Sequence, residues 1–511
     1  MSLLRYSPAL VLFAIVVCDS VRIADADLWG HIRFGQAILA QGHAPLVNTY
    51  SYSAPGYKFV DLEWLSDAAL GLAYSALGII GLKLLKFLCT AATITLLALA
   101  MGETGAPTTV QFAVLLACAL PLSWQMEFRP QLFTFAFLSG LLVVLGREMR
   151  GRRMALWLLV PMFTVWTNFH GGFFMGLVAL GVFSTVVCAE DFFAGRGLGR
   201  APRLFGVTAA SALATLITPY GLGTWRGVVR AVRNPYSYKI LVEWRPLIPT
   251  IARQWSAGSW GLVYIAVALV LFVALAVSLY LAPATDDLPL VAFAAVAIVA
   301  AFMAARNLAI AEIALAAPLT RHLGLAVTDW RARKGLPAEP ALGPSSLANQ
   351  LIVGAIAVAF AIETGLFSSR LPTDIRYPAG AVRFMKTHRL KGKILNRYAW
   401  GDYLIWHLEP GSLVFIDGRE DFAYPVRLVG DYMRFYSALP GGAQVLTKYP
   451  PDFVLISPTM PAFKMMESRA GWKLVYRDGD SALFARTDSA AARIPGVPVL
   501  VTAKTRVQYF P

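Results

Sequence analysis

The chain has 511 residues, of which 57% are hydrophobic and 15% charged, and it carries a formal net charge of +15. Soluble domains carry about 25% charged residues, so a wholly soluble protein is excluded and the chain is read as integral to a membrane. The positive balance does not point to nucleic acid, because basic residues flanking apolar spans meet lipid headgroups first.

A membrane span needs about 17–25 apolar residues, and about eleven runs approach that measure. They lie near 3–21, 84–101, 108–123, 131–146, 154–168, 172–190, 204–218, 260–281, 288–304, 307–324 and 347–367. The first is read as an uncleaved anchor, since no convincing small-residue cleavage site follows it. The linkers REMRGRR (147–153), RGLGRAPR (196–203) and RARK (331–334) are expected to be cytoplasmic. They share one side with Arg5 only if residues 62–80 lie along the membrane instead of crossing it. That places the N-terminus inside; the other reading, with 62–80 spanning, inverts part of this map. Cys18, Cys89, Cys118 and Cys188 all fall within apolar runs, which implies no disulfide framework.

After Phe367 the hydropathy collapses. The expected organisation is a multi-span membrane domain over 1–371, with outer loops 22–83 and 218–259, and a soluble outer domain over 372–511. In that tail KILNRY (393–398), SLVFIDG (412–418), DFVLIS (452–457), WKLVYRD (472–478) and SALFART (481–487) read as strands. Helical patterns at 379–388 and 425–438 alternate with them, which suggests a small α/β domain.

The first outer loop opens with DADLWGHIRFGQAIL (25–39), a helical pattern with Leu28, Ile32, Phe34, Ala37 and Ile38 at apolar positions. If the helix starts at Asp25, that residue is a natural N-cap and Asp27 sits in the first turn, where the dipole favours an anion. Capping does not account for His31, four residues after Asp27 and so on the same face. A carboxylate and an imidazole converging there are read as base and orienter. The other reading is ligands of a divalent cation such as Mg or Mn, with Asp25, Asp27 and His31 as donors.

Further ionisable groups recur at the outer ends of the spans: Asp61 and Glu63 in DLEW, Glu127 and Arg129 in WQMEFRPQ, His170 in NFHGG, and Arg306 in ARNL. Each alone has a plain reading as a turn, helix-start or hydrated residue. Their recurrence on one face favours function, because an ionisable group inside a membrane costs about 2.5–3.5 kcal/mol or more. The spans themselves read as nearly free of charge. In the loop 218–259, Arg226, Arg230 and Arg233 follow at i, i+4 and i+7, the pattern of an amphipathic interfacial helix. Its arginines meet lipid phosphates or clamp the phosphate of an anionic lipid substrate. In the tail, FIDGRED (415–421) presents Asp417 and Arg419 at a strand end, first of all a turn and also a candidate acceptor-reading element. P-loop, dinucleotide and Gly-x-Ser-x-Gly patterns are absent from the sequence.

With these residues in view, the layout resembles the GT-C superfamily of integral membrane glycosyltransferases. The likeness lies in a first span, a long outer loop with an acidic motif, surface helices and many spans. DADLWGHIRFGQAIL, NTYSYSAPG, DLEWLSD, EFRPQLF, NFHGG and DYLIWHL…VFIDGRED more closely resemble a group of bacterial multi-pass proteins assigned to the glycosyltransferases. The resemblance implies a polytopic α-helical protein of GT-C type in the bacterial inner membrane, with its C-terminal α/β domain in the periplasm. It also implies a sugar donor on a polyprenyl phosphate and a lipid, glycan or protein acceptor. The catalytic base or metal ligand would fall on Asp25 or Asp27, preferably Asp27 because of His31, with Glu127 matching a second acidic position. Arg306, Arg226 and Arg230 are candidates for the donor phosphate; Arg129, His170, Glu63, Asp417 and Arg419 are further substrate-binding candidates.

Two other readings stand beside this one. A lipid-linked glycan transporter or flippase predicts polar residues lining the spans. A non-catalytic envelope-assembly protein predicts that Asp25, Asp27, His31 and Glu127 are dispensable.

Overall fold

The structure, a computed structural model, describes residues 8–20, 23–152, 156–233, 236, 242–256, 259, 261–337, 354–355, 358, 362, 365, 368–373, 375–495, 497–498 and 508–511. The chain divides into two compact units.

The helical unit comprises Met1–Arg22, Ile80–Gly221 and Tyr238–Ser369. Every apolar run read from the sequence, except 347–367, falls on a helix here. That last run lies outside the described residues apart from isolated positions. Among the described residues, six helices are long and apolar enough to cross a membrane. Leu159–Phe169 and Ala201–Ala214 have 11 and 14 residues, short of the ~20 that a perpendicular span needs; of the first run, residues 8–18 are described as helix. The helix Leu308–Arg333 is the centre of the unit, packed by Leu288–Met303, Gly261–Leu281 and Thr108–Gln125. Its residues 308–320 are all buried, as expected of a helix that is apolar all round. By contrast Gly261–Leu281 leaves Val263, Val270, Val273, Val277 and Tyr280 exposed, an apolar face suited to lipid.

The basic linkers are tied down by buried acids. Glu103, only 2% exposed in its side chain, takes Arg147 at 3.0 Å and Arg152 at 2.9 Å. Asp191 takes Arg196 at 2.8 Å, and Glu148 faces Arg203 at 3.5 Å.

The helix Trp64–Gly102 is interrupted at Gly78, whose φ of 60° and ψ of −141° are not helical. The stretch before the break, read from sequence as lying along the membrane, belongs to the second unit, and the stretch after it belongs to the first.

The α/β unit comprises Ile23–Ile79, Leu222–Ser237 and Arg370–Pro511. Its strands are β1 Leu371–Pro372, β2 Gly392–Asn396, β3 Ser412–Val414, β4 Phe453–Ile456, β5 Trp472–Arg477, β6 Ala482–Arg486, β7 Val497–Pro498 and β8 Tyr509–Phe510; β1 pairs with β8, and the others form a six-stranded sheet in the order β3-β2-β4-β6-β5-β7. β2 pairs in parallel with β3 and β4, and β6 runs antiparallel between β4 and β5. All five strands read from sequence are present, as are helices Ala379–Thr387 and Val426–Tyr436.

The first loop is built into this sheet. Ser51 bridges Val414 in parallel, extending the β3 edge, and Ala24 bridges Thr373. The Ser51 hydroxyl donates to the Phe415 carbonyl at 3.1 Å, and the Asn48 amide to the Ala423 carbonyl at 3.1 Å. Trp29, fully buried, packs among Tyr377, Tyr403, Trp406 and Phe510. The helix Leu28–Gln41 crosses the helix beginning at Trp64 so closely that a Cβ on Gly35 would fall 1.8 Å from the Asp67 carbonyl oxygen.

Candidate functional site

In the α/β unit the helix of the first loop starts later than its sequence suggests. Asp27, not Asp25, is the N-cap of Leu28–Gln41. Asp25 instead accepts the Asp27 backbone N–H at 2.6 Å, an Asx turn that fixes the entry to the helix. His31 does share the Asp27 side of the helix, but its ring Nδ1 meets Asp67 Oδ1 at 2.7 Å. Burial would lower the His31 imidazole, yet Asp67 above all, then Glu63 and Asp27, raise it to about 10. His31 is thus a cation held among acids.

Asp27 converges with residues of the tail. Gly418 carries no side chain, and the point its Cβ would occupy lies 2.8 Å from Asp27 Oδ1 and 2.5 Å from Asp402 Oδ2. Asp402, in the first turn of the helix Gly401–Leu408, also packs on Gly30 of the DADLWG motif. Its Oδ1 is buried without a hydrogen-bond partner among the described residues. Burial, then the negative charges of Asp417 and Asp27, pushes the Asp402 carboxyl well above the usual carboxylate range. Burial likewise pushes the nearby Asp61 carboxyl up to about 6, although the Glu63 backbone N–H donates to it at 2.9 Å.

Asp417 and Arg419 form a locked pair. The Arg419 guanidinium donates to both Asp417 oxygens, at 2.9 and 2.7 Å, and to Asn48 Oδ1 at 3.3 Å. It lies 4.1 Å from the Phe34 ring centroid, 5.3 Å from that of Tyr50 and 5.4 Å from that of Phe59. The Tyr424 hydroxyl adds a hydrogen bond to Asp417 at 2.6 Å. Burial opposes ionisation of Asp417, but Arg419 holds its carboxyl below the usual range. These contacts tie the first loop to the tail. Arg230 does the same from the helix Leu222–Arg233, donating to the Tyr57 hydroxyl at 2.9 Å and to the Tyr424 carbonyl. Arg226 on that helix is exposed.

In the helical unit, Arg129 faces Glu127 at 3.4 Å and donates to Glu243 Oε1 at 2.8 Å. Burial would raise the Glu243 carboxyl, but Arg129 and Arg306 hold it below its ordinary value. The Arg306 guanidinium stacks on Trp244, 4.4 Å from its ring centroid. Two sequence candidates, Arg129 and Arg306, thus gather around Glu243, an acid in a basic loop. His170 bonds Thr134 across the start of the helix Gln131–Met149.

The spans are not nearly free of charge. Asp19 and Lys86 are each 1% exposed in their side chains and 3.7 Å apart, and Lys86 also lies over the Phe128 ring at 5.3 Å. Glu312 is buried in the central helix, and its Oε2 has no hydrogen-bond partner among the described residues. A single charge in a long apolar run barely changes its mean hydropathy, which is why the pattern conceals these three.

No group of three or more His, Cys, Asp or Glu side chains arranged to hold a metal ion occurs among the described residues. His31 Nδ1 is taken up by Asp67 and Asp25 Oδ1 by a backbone amide.

The architecture defines a polytopic helical membrane protein with an α/β unit. No family model and no curated protein matches the chain in sequence. Among solved structures it is similar to the Archaeoglobus fulgidus oligosaccharyltransferase tethered to an acceptor peptide containing the NVT sequon, at 11% identity and a TM-score of 0.53. That match covers 88% of this chain and 68% of the other. The apo form of the same protein matches at 12% identity and a TM-score of 0.51, over 88% and 69%. ArnT from Cupriavidus metallidurans bound to undecaprenyl phosphate matches over 94% and 97% at 13% identity, with a TM-score of 0.47. The chain has a GT-C-like fold.

Proposed function

We propose that the chain is a GT-C-type glycosyltransferase that moves a sugar from a polyprenyl-phosphate donor to an extracytoplasmic lipid, glycan or protein acceptor. The observation that carries this reading, beside the fold, is the Asp27 carboxylate at the start of Leu28–Gln41, converging with Asp402 on Gly418. A glycine at 418 lets the backbone pack against both carboxylates, where any side chain would clash.

In the proposed reaction an acceptor oxygen or nitrogen attacks the anomeric carbon as the bond from that carbon to the phosphate oxygen breaks. Asp27 takes the acceptor's proton, and the electron pair leaves on the polyprenyl phosphate. Configuration inverts because attack and departure occur on opposite faces. Negative charge develops on the leaving phosphate, where fixed cations act most strongly. Arg226, exposed on the unit that carries Asp27, is the candidate phosphate ligand; Arg306, in the helical unit, is stacked on Trp244. Arg230, Asp417 and Arg419 are given structural roles, since their charges are spent on holding the first loop. Glu127 and Arg129, with Glu243, are proposed to position Arg306, and Glu63 to support His31. No step is routed through a divalent cation.

Clean spans no longer argue against the transporter reading, since Asp19, Lys86 and Glu312 are buried within them; the likeness in fold to glycosyltransferases favours the enzyme. The setting proposed is the bacterial inner membrane, with the α/β unit in the periplasm.

The test compares intact masses of lipid-linked and envelope glycans from cells lacking the gene, complemented with wild type or Asp27→Asn at matched expression. A sugar-sized mass restored by wild type alone supports the proposal and identifies the sugar. Equal restoration by the variant makes Asp27 a helix cap and returns the scaffold and transporter readings.

A further inference from the structure

In the helical unit the loop that carries Glu243 continues into a short helix, Leu247–Ser256, whose flanks are pinned to the ends of longer helices. Before it, the Arg245 carbonyl accepts the Ala305 backbone N–H at 3.0 Å, where Leu288–Met303 gives way to Leu308–Arg333. After it, the Ser259 backbone N–H donates to the Gln254 carbonyl at 3.2 Å. The Gly261 backbone N–H donates to the Ser259 hydroxyl at 3.1 Å, at the first residue of Gly261–Leu281. The short turn 282–287 reverses the chain between Gly261–Leu281 and Leu288–Met303, so the start of one and the end of the other lie on the same side. Leu247–Ser256 packs on both. It therefore lies across the ends of apolar helices, the level at which a bilayer gives way to water. Its side chains form three rows. Leu247 and Thr250 are buried. Ile248, Ala252 and Trp255, at i, i+4 and i+7, form an exposed apolar row, with Ile248 at 69% and Trp255 at 73% exposure. Pro249, Arg253 and Ser256 form the adjoining exposed row, which carries the charge and the hydroxyl.

We infer that Leu247–Ser256 is a membrane anchor lying in the plane of the interface, its Ile248–Ala252–Trp255 row covered by phospholipid at the boundary of headgroups and acyl chains, with Arg253 among the headgroups. Lipid is the occupant that the surroundings select. The helix leads through Ser259 into Gly261–Leu281, whose exposed Val263, Val270, Val273 and Val277 already form an apolar face suited to lipid. An apolar row beside a charged one is the pattern of a helix lying on a bilayer. Tryptophan, with an apolar body and a polar N–H, is enriched at headgroup level, and arginine reaches from an apolar surface to water by its long stem. The anchor follows directly on Glu243 and Trp244. It thereby holds the Arg129–Glu243 ion pair and the Arg306–Trp244 stack at the membrane surface.

The test uses the full chain in nanodiscs of phosphatidylethanolamine and phosphatidylglycerol. Cysteine is introduced singly by Ile248→Cys, Ala252→Cys, Trp255→Cys, Arg253→Cys or Ser256→Cys and labelled with a small fluorophore. Cys188 is replaced by serine throughout, since Cys18, Cys89 and Cys118 are buried. Labels at Ile248→Cys, Ala252→Cys and Trp255→Cys should be quenched several-fold more by a nitroxide placed high on a lipid acyl chain than by aqueous iodide. Labels at Arg253→Cys and Ser256→Cys should show the reverse. Free access of iodide to the apolar row puts it in water and overturns the anchor. Protection of that row from both quenchers puts protein over it, a second copy or another chain, and overturns lipid as the occupant. A second measurement needs no substitution: a phospholipid with a diazirine high on its acyl chain, photolysed with the unaltered chain, should attach within Leu247–Ser256, as mapped by mass spectrometry of its peptides. Attachment to Gly261–Leu281 with none to Leu247–Ser256 contradicts the inference.

Discussion

Asp27 and Asp402, 375 positions apart in the sequence, both place a carboxylate oxygen within 3 Å of where a Gly418 Cβ would stand, at 2.8 and 2.5 Å. Asp402 faces Asp417, Asp27, Arg419 and His31, and burial with its acidic neighbours raises its carboxyl well above the ordinary range. The unfolded chain loses that proton near pH 4, whereas the folded chain keeps it to higher pH. Between the two values folding binds a proton, so rising pH disfavours the fold. Asp402→Asn removes this dependence. Its melting temperature relative to wild type is therefore expected to rise steadily from pH 5 to pH 8, and a flat difference would contradict the assignment.

His31 behaves in the opposite sense. Its imidazole is raised to about 10 by Asp67 despite burial, while the unfolded value is about 6.5. The pair's stabilisation is fully present below the unfolded value and is lost as pH rises through the folded one. The stability gap between wild type and His31→Gln should be widest near pH 6 and close towards pH 10. Thermal melts of the detergent-solubilised chain at several pH values check this.

Arg419, half-buried, is the counter-charge of the buried Asp417 and lies among Phe34, Tyr50 and Phe59. Removing it leaves Asp417 buried and unpaired, a change that costs about 3–5 kcal/mol. Arg419→Ala should lower stability by that order and expose residues 42–63 to limited proteolysis. Arg419→Lys, which cannot grip both Asp417 oxygens, should fall between. A variant as resistant as wild type would show that the first loop is held elsewhere.

Gly35→Ala probes the crossing of the first-loop helix with the helix that starts at Trp64. The added methyl would lie 1.8 Å from the Asp67 carbonyl oxygen, so the helices must part, and overpacking of this kind costs about 1–3 kcal/mol. The His31–Asp67 contact should lengthen with it, which predicts that Gly35→Ala loses the pH dependence ascribed to His31.

Much of the architecture was legible in the sequence because hydropathy and β-branched content act locally. The apolar runs fall on helices, and KILNRY, DFVLIS and SALFART form strands. What escaped is what depends on distant residues. Nothing local to DADLWG announces that Gly30 packs on Asp402 or that Asp27 meets Gly418. Asp402 reads as an ordinary first-turn acid of GDYLIW, and Glu243 as a stray acid in a basic loop. Polarity in a turn suggests exposure for Asp417 and Arg419; in the structure Asp417 is buried and Arg419 half-buried, each against the other. Asp19, Lys86 and Glu312 were hidden by the apolar residues around them.

The central claim is that Asp27 takes a proton during sugar transfer. The direct measurement is the initial rate at which the purified chain releases polyprenyl phosphate from a labelled polyprenyl-phosphate sugar in the presence of acceptor. General bases contribute about 10²–10⁴-fold, so Asp27→Asn is predicted to slow release by that factor while binding the labelled donor as wild type does. Release at the wild-type rate by Asp27→Asn would contradict the account.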